Sequence, residues 1–212
     1  DIDSGENILK AEVLDESFVI TIEESENVDG TPFANQKNFL SVYDTSGNLY
    51  VVYAFEYFDP SSIWLQIYDE SGNSQLTEPV NIVSNSDGNN YYPRNLIQHP
   101  DGGVVLVFDQ NNADIRVLGI NLDGSVWDSS VSIIENVDGQ QFQDATVTAD
   151  GIFITWKDSR YENSDIFAQH VSFDGEILSN SNNGISLCEE NNDQSGASVA
   201  YVSTYNTSTT CW

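Results

Sequence analysis

The strongest constraint on the fold of this chain is a sequence repeat with a period of about fifty residues. The motif Asn-x-Asp-Gly recurs along the chain, degenerate in its last copy, at residues 27–30, 85–88, 136–139 and 191–194. A second marker is a glycine in a polar turn, at Gly72, Gly124 and Gly175, which are 52 and 51 residues apart. Periods of this length are typical of supersecondary units that stack on one another, so the chain is predicted to have a repeat architecture.

Each repeat reads as a series of short strands. Runs rich in β-branched and aromatic residues are bounded by Gly, Asp and Asn, as in strands joined by tight turns. The middle run opens with an isoleucine nine residues before the turn glycine in all three copies. No stretch shows sustained helical periodicity with capping residues, so almost no helix is expected. The predicted strands lie at 49–53, 63–67 and 80–83, at 104–108, 115–120 and 131–134, and at 152–156, 166–171 and 185–188.

Four-stranded units of this length, repeated in tandem, predict an all-β fold, a β-propeller of four-stranded antiparallel blades. A β-solenoid would need shorter coils, and an immunoglobulin-like sandwich would not repeat within about one hundred residues. The predicted division is a partial blade at 1–37, blades at 38–93, 94–144 and 145–197, and a partial blade at 198–212. Because propellers have typically about four to eight blades, we expect a fragment of a larger propeller; closure by pairing of terminal strands is the alternative.

Composition limits the classes of partner. The chain has 34 acidic and six basic side chains and a formal net charge of −28. Nucleic acids and anionic membranes bind clustered Lys and Arg, so neither is an expected partner. No apolar run of eighteen residues occurs, which predicts no membrane-inserted helix. Scarce lysine with abundant Asp, Asn and Ser suits a saline or extracellular setting, and we expect a secreted or cell-surface protein.

The two cysteines, Cys188 and Cys211, match no zinc or redox spacing. An oxidising compartment would allow them to pair, but sequence does not show that their Cα atoms lie near enough. A disulfide and two free thiols are therefore both open interpretations.

The third repeat carries a distinctive motif. The segment 156–160, Trp-Lys-Asp-Ser-Arg, is followed by Asp-Ile-Phe-Ala-Gln at 165–169 and by Asp174-Gly175. This resembles the W-x-D-x-R…D-I-Y-A-Q…G pattern of secreted propeller-repeat proteins that are common in Bacteroidetes, often in large proteins with a C-terminal type IX secretion signal. The likeness covers only Ala145 to about Gln194. It implies a secreted or cell-surface scaffold with a binding function.

Trp156, Asp158 and Arg160 are the candidate binding residues, because alternate residues of a strand share one face. They would form a sugar platform in which the indole stacks and the ionic groups bind hydroxyls. In the alternative, Trp156 packs between blades while Asp158 and Arg160 pair and tie neighbouring loops. Residues that recur at the same position of a repeat usually contact the neighbouring repeat, which favours the structural interpretation.

The Asn-x-Asp-Gly loops also allow two interpretations. Their side-chain and backbone oxygens are the hard donors that Ca²⁺ prefers, yet they lack the dense ligand spacing of an EF-hand. Asn and Asp before Gly are equally what a tight turn requires, and the turn interpretation is favoured. No cofactor is predicted, and calcium is the one metal that the composition suits.

The sequence therefore favours a non-catalytic recognition or adhesion scaffold that binds a glycan or a protein. One alternative is a sialidase-like propeller glycoside hydrolase whose active site lies partly outside this chain. Hydrolysis of a glycoside needs a pair of carboxylates. Because the chain has 34 acidic residues, the presence of such a pair does not distinguish an enzyme from a binding protein. Arginines for a substrate carboxylate are confined to Arg94, Arg116 and Arg160, at non-equivalent repeat positions, and His99 and His170 fall on different elements. A structural spacer in a large surface protein is the third interpretation.

Overall fold

In the computed structural model, the chain is built of β-strands and tight turns. The structure describes residues 8–14, 17–23, 36–55, 62–111, 113–128, 130–134, 139–179 and 181–202. These residues include no helix, as the sequence predicts, and therefore none that is long and apolar enough to span a bilayer.

The strands form one hairpin and three four-stranded sheets. The hairpin consists of β1 (Ile8–Leu14) and β2 (Ser17–Glu23). Blade 1 consists of β3 (Gln36–Tyr43), β4 (Leu49–Phe55), β5 (Ile63–Tyr68) and β6 (Val80–Val83). Blade 2 consists of β7 (Tyr91–Gln98), β8 (Val104–Gln110), β9 (Asp114–Ile120) and β10 (Val131–Ser132). Blade 3 consists of β11 (Gln140–Val147), β12 (Gly151–Asp158), β13 (Asp165–Ser172) and β14 (Ile185–Cys188).

In each blade, every strand pairs antiparallel with the strand that precedes it, which confirms the predicted four-stranded unit. The sheets begin at residues 36, 91 and 140, so the expected boundaries at 93/94 and 144/145 fall inside β7 and β11. Both of these strands open with polar or aromatic residues and contain a shift in pairing register, at Pro93/Asn95 and Phe142/Asp144. Such a bulge interrupts the period-two alternation from which a strand start is read.

The blades share hydrophobic cores because the two faces of each sheet point to different neighbours. In β8, Val104, Leu106 and Phe108 pack into a cluster shared with blade 1. The alternate residues Val105 and Val107 pack into a second cluster, shared with blade 3. Strands buried on both faces read as continuous apolar runs, as β8 does. Successive sheets packed face to face in this way are the blades of a β-propeller.

The turn after the third strand is equivalent in the three blades. Gly72, Gly124 and Gly175 have φ angles of 80°, 80° and 84°, a region that glycine adopts without a steric penalty. Their N–H groups donate to the carbonyl three residues earlier, at 2.9, 3.0 and 3.1 Å. The repeat read from these glycines is therefore a structural repeat.

An antiparallel meander gives each blade two different ends. The hairpins between first and second strands and the turns after third strands lie at one end, which we call the turn face. The loops between second and third strands and the connections to the next blade lie at the other end, the loop face. The Asn-x-Asp-Gly copy at 85–88 joins β6 to β7, so this motif belongs to the loop face.

Candidate functional site

Trp156 is buried at the boundary between blades 2 and 3. Its side chain has 0 % exposure and packs in the cluster that these blades share. The indole Nε1–H donates to Asp158 Oδ2 at 2.8 Å, and the ring stacks on Phe167 with centroids 6.2 Å apart. A sugar platform needs an exposed ring face, and this indole presents none.

Asp158 and Arg160 form an ion pair beside this indole. The Arg160 backbone N–H and one guanidinium nitrogen both donate to the Asp158 carboxylate, and Nη1 donates to the Asn183 carbonyl at 2.7 Å. The guanidinium also lies 4.0 Å from the centroid of the Phe167 ring. Burial alone would raise the pKa of Asp158, but the hydrogen bonds from Arg160 and Trp156 outweigh it and hold the pKa below its ordinary value. The structure thus brings the three sequence-predicted residues together, in contacts that serve the blade itself.

The described Asn-x-Asp-Gly loops use their carboxylates for local structure. Asp87 accepts hydrogen bonds from the Tyr91 hydroxyl and from the Asn89 N–H and side-chain amide, and these bonds lower its pKa. In the degenerate copy, Asp193 accepts the Ser164 N–H at 2.9 Å and so holds the β12–β13 loop. The copy at 27–30 and residues 136–138 lie outside the described residues. Within the described residues, no group of three or more His, Cys, Asp or Glu side chains is arranged to hold a metal ion.

The three arginines do not converge on one site. Arg94 pairs with Asp109 of its own blade, and Arg116 donates to the Ser130 hydroxyl at 2.9 Å. Arg160 is held in blade 3 by Asp158. Cys188 is partly buried in β14, whereas Cys211 lies outside the described residues, so their pairing stays a prediction.

A cavity of about 540 Å³ opens on the turn face between blades 2 and 3. Both blades contribute aromatic and acidic side chains to its walls. A second cavity of about 450 Å³ adjoins it and shares Trp127 and Asp174. We call the two cavities together the inter-blade groove, and its chemistry-bearing residues are His99, Asp101, Asp123, Trp127, Asp128, Phe173 and Asp174.

Trp127 is seated in the groove by glycines from both blades. A Cβ atom on Gly119 would lie 2.0 Å from the indole, and one on Gly175 would lie 3.0 Å from it. The backbone N–H of Trp127 donates to the Gly119 carbonyl at 3.1 Å. A side chain at either glycine would displace the ring, so these positions fix where the partly buried indole lies.

The same hydrogen bond identifies the equivalent residues of the other blades. The backbone N–H of Gln75 donates to the Ile67 carbonyl, and that of Leu178 donates to the His170 carbonyl. In blade 2, Gly119 therefore stands where the other blades have the larger Ile67 and His170. Trp127 stands where they have the smaller Gln75 and Leu178. The stacking of blades does not demand this exchange, because the neighbouring blades form the same turn without it.

His99 crosses the blade boundary to Phe173. The two rings meet edge to face, with centroids 4.7 Å apart and planes at 63°. His99 Nδ1 accepts the Asp101 N–H at 3.0 Å, which assigns the proton of the neutral ring to Nε2. The ring therefore holds its own turn and keeps one N–H donor.

Asp101, Asp123 and Asp174 each occupy the third position of a turn. Blade 1 closes the corresponding turns with Ser46 and Ser71, so the turns do not require acidic residues there. Asp123 Oδ1 accepts the Ser125 hydroxyl and N–H, at 2.6 and 2.9 Å, and these bonds lower the pKa of Asp123. The lining of the 540 Å³ cavity includes no Lys or Arg.

The sequence interpretation missed this groove. It noted of His99 only that it falls on a different element from His170, and it did not single out Trp127 or Phe173. The signal was present as a departure from the repeat, since Trp127 aligns with Gln75 and Leu178 once the turn glycines are superposed. What the sequence could not supply was the pairing of turns from two different blades.

Comparisons with known proteins give only distant structural likenesses. No protein-family model and no curated protein matches the chain. An α-L-arabinofuranosidase from Clostridium thermocellum is similar in structure with a TM-score of 0.46 and 14 % identity, over 78 % of this chain and 57 % of that chain. An endo-arabinase from Bacteroides thetaiotaomicron is similar with a TM-score of 0.47 and 12 % identity, over 94 % of this chain and 86 % of that chain. The chain thus spans little more than half of the arabinofuranosidase.

Proposed function

We propose that this chain is a recognition module that binds a glycan in the inter-blade groove and does not transform it. The observation that carries the proposal is the seat of Trp127 between Gly119 and Gly175, in a cavity that Phe173 and His99 also line. Aromatic side chains combine a large apolar face with low conformational cost on binding. Carboxylates and the imidazole N–H supply acceptors and a donor for hydroxyl groups.

The size and composition of the groove support a glycan over an apolar ligand. Its larger cavity, about 540 Å³, falls within the roughly 300–1,000 Å³ of small-molecule sites. A sugar has C–H faces that pack on aromatic rings and hydroxyl groups that bind carboxylates. The groove offers both kinds of partner, whereas the ring face of Trp156 is closed.

We also propose a secreted or cell-surface setting, in which the module serves adhesion. Support comes from the net charge of −28 and from the resemblance of the third repeat to secreted propeller repeats. Antibodies against this chain, applied to fractions of the source cells, should detect it in the medium or at the surface. Detection only inside the cell would contradict this setting.

The binding proposal is tested by a glycan array followed by calorimetric titration of the best oligosaccharide. Trp127→Ala should weaken binding at least about tenfold, the equivalent of about 1.4 kcal/mol, while Trp127→Phe should retain most of it. The matched control is Tyr161→Ala, which removes a 61 % exposed aromatic ring from the loop face.

Unchanged binding in Trp127→Ala, equal losses in both alanine variants, or no glycan ligand at all would contradict the proposal. Binding of a protein instead would favour the protein-adhesion interpretation. Release of reducing sugar that one carboxylate substitution abolishes would establish the glycoside hydrolase alternative.

A further inference from the structure

We propose that the inter-blade groove selects glycans that carry protonated amino groups. The inference rests on the proposed function, because it names the class of glycan that this site takes. It goes beyond that function by assigning Asp101, Asp123 and Asp174 as the residues that determine specificity.

The first argument is the charge of the groove walls. Three carboxylates, from three different turns and two blades, line one cavity that has no Lys or Arg in its lining. A cavity lined by one sign of charge concentrates ligands of the opposite sign. An ammonium group entering the groove is attracted by all three carboxylates, whereas a uronic acid is repelled.

The second argument is that these carboxylates keep acceptor capacity. Both hydrogen bonds that Asp123 accepts go to Oδ1, which leaves Oδ2 for a ligand. Asp101 and Asp174 enter hydrogen bonds with the described residues through their backbone N–H groups. By contrast, Asp69 in the equivalent turn system of blade 1 uses both carboxylate oxygens on Asn73 and Ser71.

The third argument is that these turns do not require an acid at their third position, because blade 1 has its carboxylates two residues earlier, where Asp44 and Asp69 accept backbone N–H groups. Blade 1 forms the same two turns with Ser46 and Ser71 where blade 2 has Asp101 and Asp123. The serines show that a short polar side chain suffices for the fold. The acidic residues coincide with the blade boundary at which the groove opens.

The aromatic wall favours the same ligand. A cation near the face of a tryptophan ring is attracted by the ring quadrupole, and Trp is the strongest of the aromatic side chains in this respect. Trp127 lies in the same cavity as Asp101, Asp123 and Asp174. A protonated amino sugar therefore combines a C–H face for the ring with a charge for the carboxylates.

The test compares three oligosaccharides of equal length, built from glucosamine, N-acetylglucosamine and galacturonic acid. Titrations are done in mildly acidic buffer, in which the sugar amines are protonated. The glucosamine oligomer should bind at least about tenfold more tightly than the N-acetylated one, and the galacturonic acid oligomer most weakly. Asp123→Asn combined with Asp174→Asn should remove most of this preference, because it should lower the affinity for the glucosamine oligomer more than the affinity for the N-acetylated one.

Glu162→Gln is the matched control, since it removes one exposed carboxylate from the loop face and should leave the preference intact. Equal affinity for the first two oligomers, with both lost in Trp127→Ala, would overturn the amine selectivity and leave the glycan site standing. Two further results would overturn the amine selectivity by showing that only general charge attraction is at work. One is binding of polylysine as tight as that of the glucosamine oligomer; the other is a loss of preference in Glu162→Gln as large as in the double aspartate variant. Binding of none of the oligomers, together with no hit on the glycan array, would overturn the proposed function as well.

Discussion

At the residue scale, two tryptophans at one blade boundary differ in exposure, and this difference underlies the proposal that one is structural and the other binds ligand. Trp156 has no exposed surface, and its indole N–H is used by Asp158. Trp127 is partly buried on the turn face, where the groove reaches it. Each ring packs on glycine, Trp156 on Gly184 and Trp127 on Gly119. Glycine thus provides the space for both rings. Trp127 also packs against the cores on both sides of blade 2, and only its exposed part is available to the proposed ligand.

The contact between Gly184 and Trp156 predicts a destabilising substitution. Gly184 has φ 77°, and a Cβ atom there would lie 2.6 Å from the indole. Gly184→Ala should lower the free energy of unfolding by about 1–2 kcal/mol because alanine is strained in the left-handed backbone conformation. Overpacking against the indole should lower it by about 1–3 kcal/mol more. The control is Gly196→Ala, which has the same φ but open space and should show only the first loss. Equal free energies of unfolding for the two variants would contradict the packing of Trp156.

The ion pair of Asp158 predicts a pH-dependent loss of stability. Its folded pKa lies below the ordinary value, so the stabilisation is present above about pH 3.9 and is lost as the pH falls through the folded pKa. Asp158→Asn breaks a buried pair with Arg160 and should cost about 3 kcal/mol at neutral pH. The difference from the unsubstituted protein, measured by denaturant unfolding, should shrink in acid. A constant difference between neutral and acid pH would contradict the ion pair.

Asp165, which pairs with Asp158 across the strands, provides a control of opposite sign. Burial first, and then the charges of Glu189, Asp158 and Asp193, raise the pKa of Asp165. Its protonated form is favoured in the folded state, so its contribution is favourable in acid and is lost as the pH rises through the folded pKa. Asp165→Asn should therefore raise the melting temperature at neutral pH, where Asp158→Asn lowers it.

At the scale of elements, the bulges of β7 and β11 each place a side chain in contact with a later segment of the chain. In β7, the residue after the bulge is Asn95, whose side-chain amide lies 3.5 Å from the Ala145 carbonyl of blade 3. In β11, the equivalent residue is Asp144, whose Oδ2 accepts the Val199 N–H at 2.9 Å and the Ser198 hydroxyl at 2.8 Å. In blades 2 and 3, the residue after the bulge thus contacts β11 and residues 198–199, respectively.

This contact predicts that Asp144 holds the segment 196–202 against blade 3. Asp144→Ala removes the acceptor of three hydrogen bonds, two of them from this segment, and should cost about 1–3 kcal/mol, with faster amide exchange confined to that segment. Asp144→Asn keeps one acceptor oxygen and should recover part of the loss, while Glu162→Ala should change nothing. Hydrogen exchange measured by mass spectrometry separates these outcomes, and unchanged protection of residues 198 and 199 would contradict the contact.

The elements differ in how far the sequence predicts them. The runs at 49–53, 104–108 and 152–156 were predicted correctly because strands buried on both faces are continuously apolar and bounded by turn residues. The starts of β7 and β11 were not, since their bulges interrupt the alternation that marks a strand. Trp156 and Asp158 lie on one strand as predicted, whereas Arg160, predicted on the same strand, lies two residues beyond the end of β12. Burial, which decides between platform and packing, is a property of two blades.

At the scale of the whole molecule, the apolar cores between blades stabilise the fold, whereas the repulsion that arises from a net charge of −28 destabilises it. Like charges repel, and the repulsion is larger in the compact state than in the extended chain. The melting temperature should therefore rise from low salt toward about 1 M NaCl, where the Debye length falls to about 3 Å. A flat or falling melting temperature would contradict net repulsion, and a further rise with CaCl₂ at matched ionic strength would indicate calcium binding.

The central claim, that ligands enter the inter-blade groove and leave Trp156 untouched, is tested most directly by the indole N–H signals in an NMR titration. The ligand is the glucosamine oligosaccharide or its N-acetylated form, whichever binds more tightly. The account predicts that the Trp127 signal and the backbone amides of 99–101 shift, while the Trp156 signal stays in place. Shifts at Trp156, Asp158 and Arg160 with none at Trp127 would contradict it.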